Sequence, residues 1–157
     1  MSERTTSNGM KVKFDKKEIS KISKKFLDKI LKMANKKARV VALSGILGAG
    51  KTTLTQEIAK QLGIKDNIIS PTFVIMKIYK TNPNSQYYSH FKKLIHIDAY
   101  RLDLPVELLK IGWQELQDDK DNLIIIEWPE NVKEHLSSST YWVKLEHIDD
   151  QTRVFEF

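Results

Sequence analysis

The 157-residue sequence has no cysteine. Disulfide scaffolds, thiolate zinc sites, iron–sulfur clusters and thiol catalysis are therefore excluded, although that absence alone does not fix the compartment. No apolar run approaches the roughly 20 residues of a membrane-spanning helix. Residues 1–10 are polar and lack the apolar centre of a secretory signal. The chain is accordingly expected to be soluble and cytoplasmic, with no membrane partner. Arginine is scarce too, at four of 26 basic residues (Arg4, Arg39, Arg101 and Arg153). Few planar forks are thus on hand for specific phosphate or base readout.

What is present suits one ordinary domain. The length leaves little room for a second, and 41% hydrophobic residues suffice for a core. The net charge of +6 is unevenly placed: residues 1–40 hold 13 Lys/Arg against 4 Asp/Glu, and residues 41–157 hold 13 against 16. The first quarter thus carries +9 and the remainder −3. That asymmetry fits either a solvated lysine face or a docking face for an anionic partner.

Periodicity organises the chain. Residues 1–10 read as a disordered lead, and residues 11–157 as a single domain. Lys11-Val12-Lys13-Phe14 alternates like an edge strand, and Asp15 with Glu18 resembles a capping box. A helix to about Ala34 would bury Ile19, Ile22, Phe26, Ile30 and Met33, widened by Leu27 and Leu31, with most lysines outside that stripe. Arg39–Ser44 suits a buried strand, and Lys51–Leu62 a helix closed by Gly63. Ile68–Tyr79 reads as extended with a break near Ser70-Pro71-Thr72, and residues 81–92 as a flexible hairpin or loop. Strands are expected at Lys93–Asp98, Asn122–Glu127, Tyr141–Ile148 and Arg153–Phe157. Short helices are expected from Pro105 to Leu109 and around Trp113–Leu116. Strand, loop and helix alternating with further apolar strands indicate an α/β sheet.

Between the second strand and its helix, Gly45-Ile46-Leu47-Gly48-Ala49-Gly50-Lys51-Thr52 matches G-x-x-x-x-G-K-[ST], the phosphate-binding P-loop. Glycines let the backbone bend round a phosphate with its N–H groups inward, and the helix N-terminus adds partial positive charge. Lys51 can reach the β- and γ-phosphates, and the Thr52 hydroxyl can ligate Mg²⁺. Such a site also needs a carboxylate for the metal. Two strands end in one, at Asp98 and Glu127, and in open α/β sheets the ligand crevice lies beyond those strand ends. Spacing leaves open which acid takes the metal. His96 reads as a packed or exposed histidine rather than a ligand. His90, His135 and His147 make no local pair with metal spacing. Trp128 either covers a nucleotide or belongs to the core.

Four separated pieces then carry a resemblance: Leu47-Gly48-Ala49-Gly50-Lys51-Thr52-Thr53-Leu54, Ser70-Pro71-Thr72-Phe73, His96-Ile97-Asp98-Ala99-Tyr100-Arg101-Leu102 and Ile126-Glu127-Trp128-Pro129-Glu130. In this order they resemble the TsaE (YjeE) family, small bacterial P-loop ATPases of tRNA N6-threonylcarbamoyladenosine (t6A) synthesis. The resemblance implies a P-loop NTPase fold with a mixed, mostly parallel central sheet flanked by helices. It implies ATP held by Leu47, Gly48, Ala49, Gly50, Lys51, Thr52, Thr53 and Trp128, with Mg²⁺ on Thr52 and Glu127. Lys51, Asp98 and Thr72 become the residues of hydrolysis, Thr72 on a switch-like loop. The implied partners are TsaD and TsaB, with tRNA met indirectly through their complex. The chain departs from the family at Ile46, where an aspartate is usual. Two other readings compete. One is a small-molecule kinase sharing the P-loop, although residues 102–122 offer no arginine for a lid. The other is a tRNA- or protein-binding module using ATP as a switch.

Overall fold

In the computed structural model, residues 11–33 and 36–157 are described. The lead at residues 1–10 and the expected helix end at Ala34 lie outside them. The apolar runs become seven strands: β1 (Lys11–Asp15), β2 (Arg39–Ser44), β3 (Met76–Lys80), β4 (Lys93–Asp98), β5 (Asn122–Glu127), β6 (Tyr141–His147) and β7 (Thr152–Glu156). Among the described residues four α-helices accompany them: α1 (Ile19–Leu31), α2 (Lys51–Gln61), α3 (Glu107–Lys110) and α4 (Trp113–Asp118).

The strands form one sheet in the order β1-β7-β6-β2-β5-β4-β3. Its centre, β6-β2-β5-β4, is parallel, whereas β1/β7, β6/β7 and β3/β4 pair antiparallel. Two reversals between β1 and β6 return β1 to the common direction, so five of the seven strands point the same way. This is the expected mixed, mostly parallel α/β sheet.

Two-residue alternation sends the buried strands to both faces. Leu123 and Ile125 of β5 join Leu54 and Ile58 of α2 and Phe26 and Ile30 of α1 in one core. Ile124 and Ile126 point the other way, into a second core with Leu108, Trp113 and Val132. Each such aliphatic or aromatic burial contributes about 1.5–3 kcal/mol. On β4 the same alternation puts Leu94, His96 and Asp98 on the α2 side, with Ile95 and Ile97 opposite.

At the N-terminal end Asp15 caps a short 3-10 turn, Lys16–Glu18. Its carboxylate accepts from Lys17 N at 2.8 Å, and its own amide donates to Glu18 at 3.0 Å. Ile22, Phe26, Leu27 and Ile30 are buried in α1, and Ile19 is half-buried. Three local expectations are revised. Helix α1 ends at Leu31, leaving Met33 half-buried beyond it. The extended stretch from Ile68 shrinks to β3, because the Val74 and Ile75 amides both bond back to Pro71 O and Ile75 takes φ 67°. The polar segment 81–92 is anchored by buried Tyr87 and Phe91. A further 3-10 segment, Pro129–His135, lies where periodicity predicted no element.

Candidate nucleotide site

The P-loop leaves the carboxyl end of β2 and turns into α2. Gly45 has φ +145°, and a Cβ there would lie 2.6 Å from Leu145 O, so only glycine passes beneath β6. Gly50, with φ +103°, caps α2. Lys51, at the first helical position, is buried and donates to Gly45 O at 2.6 Å and Ile46 O at 3.2 Å. Its ammonium lies 4.1 Å from the centre of the Trp128 ring. Burial pushes the Lys51 pKa down, opposed by the charges of Glu127, Glu130 and Asp98.

The two strand-end acids sit side by side, since Asp98 and Glu127 are register partners of β4 and β5. Glu127 Oε1 accepts the Thr52 hydroxyl at 3.1 Å and lies 2.9 Å from His96 Nε2. Asp98 instead gathers the 70–72 segment. Its Oδ2 accepts from Ser70 Oγ at 2.7 Å and Thr72 Oγ1 at 2.8 Å, and its Oδ1 accepts from the Tyr100 amide at 2.9 Å. Trp128 turns away from β5 in a left-handed conformation, φ 55°, with its ring 5.2 Å from that of Tyr100.

These groups line one cavity of about 650 Å³. Leu47, Gly48, Ala49, Gly50, Lys51, Thr52, Thr53, Thr72, Asp98, Glu127 and Trp128 all contribute to its wall. The residues that the resemblance implies for nucleotide, metal and hydrolysis are therefore in one place, whereas Gly45 and Ile46 at the start of the loop do not line this cavity. Ser70, Tyr100, Phe14, Lys16, Ile19 and Arg153 line it as well. The Ser-Pro-Thr motif pointed to Ser70. No sequence signal pointed to the residues of β1 and the following turn, whose arrival depends on β1 pairing with β7. The Arg153 guanidinium bonds the carbonyls of Asp149 and Thr152. Arg101 does not line the cavity; it stacks 4.5 Å from the Phe73 ring centre.

Thr52 and Glu127 offer a hard-oxygen pair suited to Mg²⁺, which is commonly held by few protein ligands plus phosphate and water. Among the described residues there is no group of three His, Cys, Asp or Glu side chains that could hold a metal alone.

Comparison with known proteins gives the family. The family model described as "Threonylcarbamoyl adenosine biosynthesis protein TsaE" matches residues 15–155. This chain belongs to the TsaE family. It is 38% identical over 140 residues to the tRNA threonylcarbamoyladenosine biosynthesis protein TsaE of Rickettsia prowazekii, covering 88% of this chain and 87% of that one. The protein of the same name from Haemophilus influenzae is 32% identical over 140 residues, covering 89% and 83%. The one from Rickettsia felis is 40% identical over 131 residues, covering 83% and 71%. The structure titled "Crystal structure of Bacillus subtilus YdiB" superposes with a TM-score of 0.68 at 24% identity, over 97% of this chain and 87% of that one. It shares the fold, and the P-loop NTPase architecture expected of a TsaE member is the one observed. No helix among the described residues is long and apolar enough to cross a membrane.

Proposed function

We propose that this protein binds and hydrolyses ATP with Mg²⁺ and serves tRNA t6A synthesis as a cytoplasmic accessory of the TsaB–TsaD pair, meeting tRNA only through that complex. The observation that carries the reading is the Thr52–Glu127 contact of 3.1 Å at the head of a P-loop helix, on the wall of a cavity of about 650 Å³. The P-loop hydroxyl and a strand-end carboxylate are the two protein groups a P-loop enzyme uses to hold its metal.

The chain's own residues divide the work. The amides of residues 47–53 and the α2 N-terminus take the phosphates. Lys51 exchanges its loop carbonyls for β- and γ-phosphate oxygens, a stronger charge-assisted pairing. Thr52 and Glu127 hold Mg²⁺, which supplies charge neutralisation on the phosphates. Asp98, with the Ser70 and Thr72 hydroxyls bonded to it, stands ready to orient the attacking water. The Trp128 and Tyr100 rings, in contact with each other, offer the nucleotide an aromatic part of the wall. Arg101, engaged with Phe73, is not aimed into the cavity, so turnover by the isolated protein is expected to be slow.

The test is ATP hydrolysis by the purified chain with and without TsaB and TsaD, coupled to co-purification of the three proteins with and without ATP. Mg²⁺-dependent turnover that rises with the partners supports the reading. Phosphoryl transfer to a small metabolite in place of water would favour the kinase alternative, and absence of any ATP-dependent complex would remove the partner assignment.

A further inference from the structure

His96 lies beneath the candidate metal pair and has no task in the nucleotide reading given above. Its side chain is fully buried, with Nε2 2.9 Å from Glu127 Oε1, the oxygen that also takes the Thr52 hydroxyl. Its Nδ1 is buried with no hydrogen-bond partner. A carboxylate oxygen only accepts, so the ring donates to it from Nε2.

Strand register explains why a histidine fits here. His96 is opposite Ile125 and Asp98 is opposite Glu127. His96 and Glu127 are therefore diagonal neighbours on one sheet face, a separation that only a long side chain spans. The donor must sit at the ε position to close it. The H-x-D spacing thus delivers two functions from one face of β4: Asp98 toward the 70–72 segment, and His96 behind it toward Glu127.

We propose that His96 is a positioning residue for the metal-binding carboxylate. Its Nε2–H holds Glu127 Oε1 in place, so that Glu127 and Thr52 stand aligned before a nucleotide arrives. The inference rests on the ATP and Mg²⁺ reading of the site. Without the bond, Glu127 keeps the Thr52 contact alone and regains side-chain freedom that metal binding must then remove. Groups that orient a metal ligand in this way are typically worth about 10–100-fold in metal affinity.

Two variants and one measurement on the unaltered protein test this. His96→Gln keeps a donor at the ε position, whereas His96→Asn moves it to δ and falls short. Each is titrated with Mg²⁺ in the presence of a fluorescent ADP analogue, and analogue binding without Mg²⁺ is measured alongside. The expected result is that His96→Asn raises the Mg²⁺ concentration for half-saturation by about 10–100-fold. His96→Gln stays near the wild type, and Mg²⁺-free binding is unchanged in both. Nitrogen-15 NMR of the ligand-free wild-type ring is expected to place the proton on Nε2, and this readout stands even where a variant fails to fold. Equal Mg²⁺ dependence in the two variants, or a ring protonated on Nδ1 alone, overturns the proposal. A wild type that binds the analogue under neither condition instead brings down the nucleotide reading itself.

Discussion

Asp98 and Glu127 are register partners at the ends of adjacent parallel strands, yet they engage different elements. Glu127 meets Thr52 on α2, and Asp98 meets Ser70 and Thr72 on the segment before β3. By position at strand ends the two carboxylates are equivalent, and in the structure they are told apart by their partners. Substitution should separate them in the same way. Glu127→Gln removes a charged oxygen from the proposed metal pair, so Mg²⁺-dependent nucleotide binding is expected to disappear together with hydrolysis. Asp98→Asn is expected to keep Mg²⁺-dependent binding and lose turnover by about 10²–10⁴-fold, the range for a misplaced proton-handling group. Nucleotide binding by calorimetry and steady-state hydrolysis, run on both variants, decide it. Equal loss of Mg²⁺-dependent binding in the two would abolish the division of labour.

The P-loop glycines are expected to differ in their tolerance. At Gly45 a methyl group would meet Leu145 O at 2.6 Å and the Ala49 Cβ at 3.1 Å, on a backbone at φ +145°. At Gly48 the φ of +80° is also unfavourable, but nothing lies within 4 Å. Gly48→Ala should therefore cost only backbone strain, about 1–2 kcal/mol. Gly45→Ala adds a clash between the loop and β6 and should cost more than about 3 kcal/mol, in the range of overpacking plus strain. Urea midpoints of the two variants give the comparison, and similar costs would contradict the close approach to β6.

Much of this arrangement was legible in the sequence, for identifiable reasons. β2 and β5 match their expected bounds because both are apolar on two faces and end at a polar or charged residue. The P-loop is a local motif whose glycines and lysine are contiguous, so spacing alone locates it. The acids could be found, because strand ends gather at one edge of a parallel sheet, but spacing did not tell them apart; only the family resemblance gave Glu127 to the metal and Asp98 to hydrolysis. That distinction lies in contacts 75 residues apart for Thr52–Glu127 and 26 apart for Thr72–Asp98. The alternating strand pattern leaves His96 as a packed or exposed histidine rather than a ligand. Its burial fits that description, and its bond to Glu127 depends on a diagonal register that periodicity does not carry. Phe14, Lys16 and Ile19 reach the cavity only because β1 crosses to pair with β7.

Trp128 provides an optical report of the site. The Lys51 ammonium rests 4.1 Å from its ring centre while bonded to the carbonyls of Gly45 and Ile46. A cation–π contact of this kind is worth about 0.5–2 kcal/mol. Anionic phosphates compete for the same ammonium, so nucleotide binding should move Lys51 off the ring and change tryptophan emission. Trp113 is buried in the second core and Trp142 sits on β6, away from the cavity wall. Trp128→Phe is therefore expected to abolish the emission change while leaving nucleotide binding within a few-fold. Persistence of the change in that variant would place the signal elsewhere.

Tyr87 gives a pH-dependent test of how the segment between β3 and β4 is fastened to α1. Its hydroxyl donates to Asp28 Oδ1 at 3.0 Å, and the side chain is 2% exposed. Burial, the hydrogen bond and the Asp28 charge raise its pKa from 10.0 to about 12. A phenol whose folded value is raised favours the native state while protonated. The unfolded chain releases its proton first, so the contribution is complete below pH 10 and is lost as pH climbs toward 12. A shift of this size corresponds to about 2–3 kcal/mol. Tyr87→Phe loses the hydrogen bond, at about 1 kcal/mol near neutrality, and has no proton to release. Wild type is thus expected to be the more stable protein at pH 8, and its advantage should shrink and reverse between pH 10 and 12. Urea midpoints of both proteins across that range measure the crossing. Parallel curves would mean that Tyr87 ionises as freely in the folded protein as in the unfolded chain.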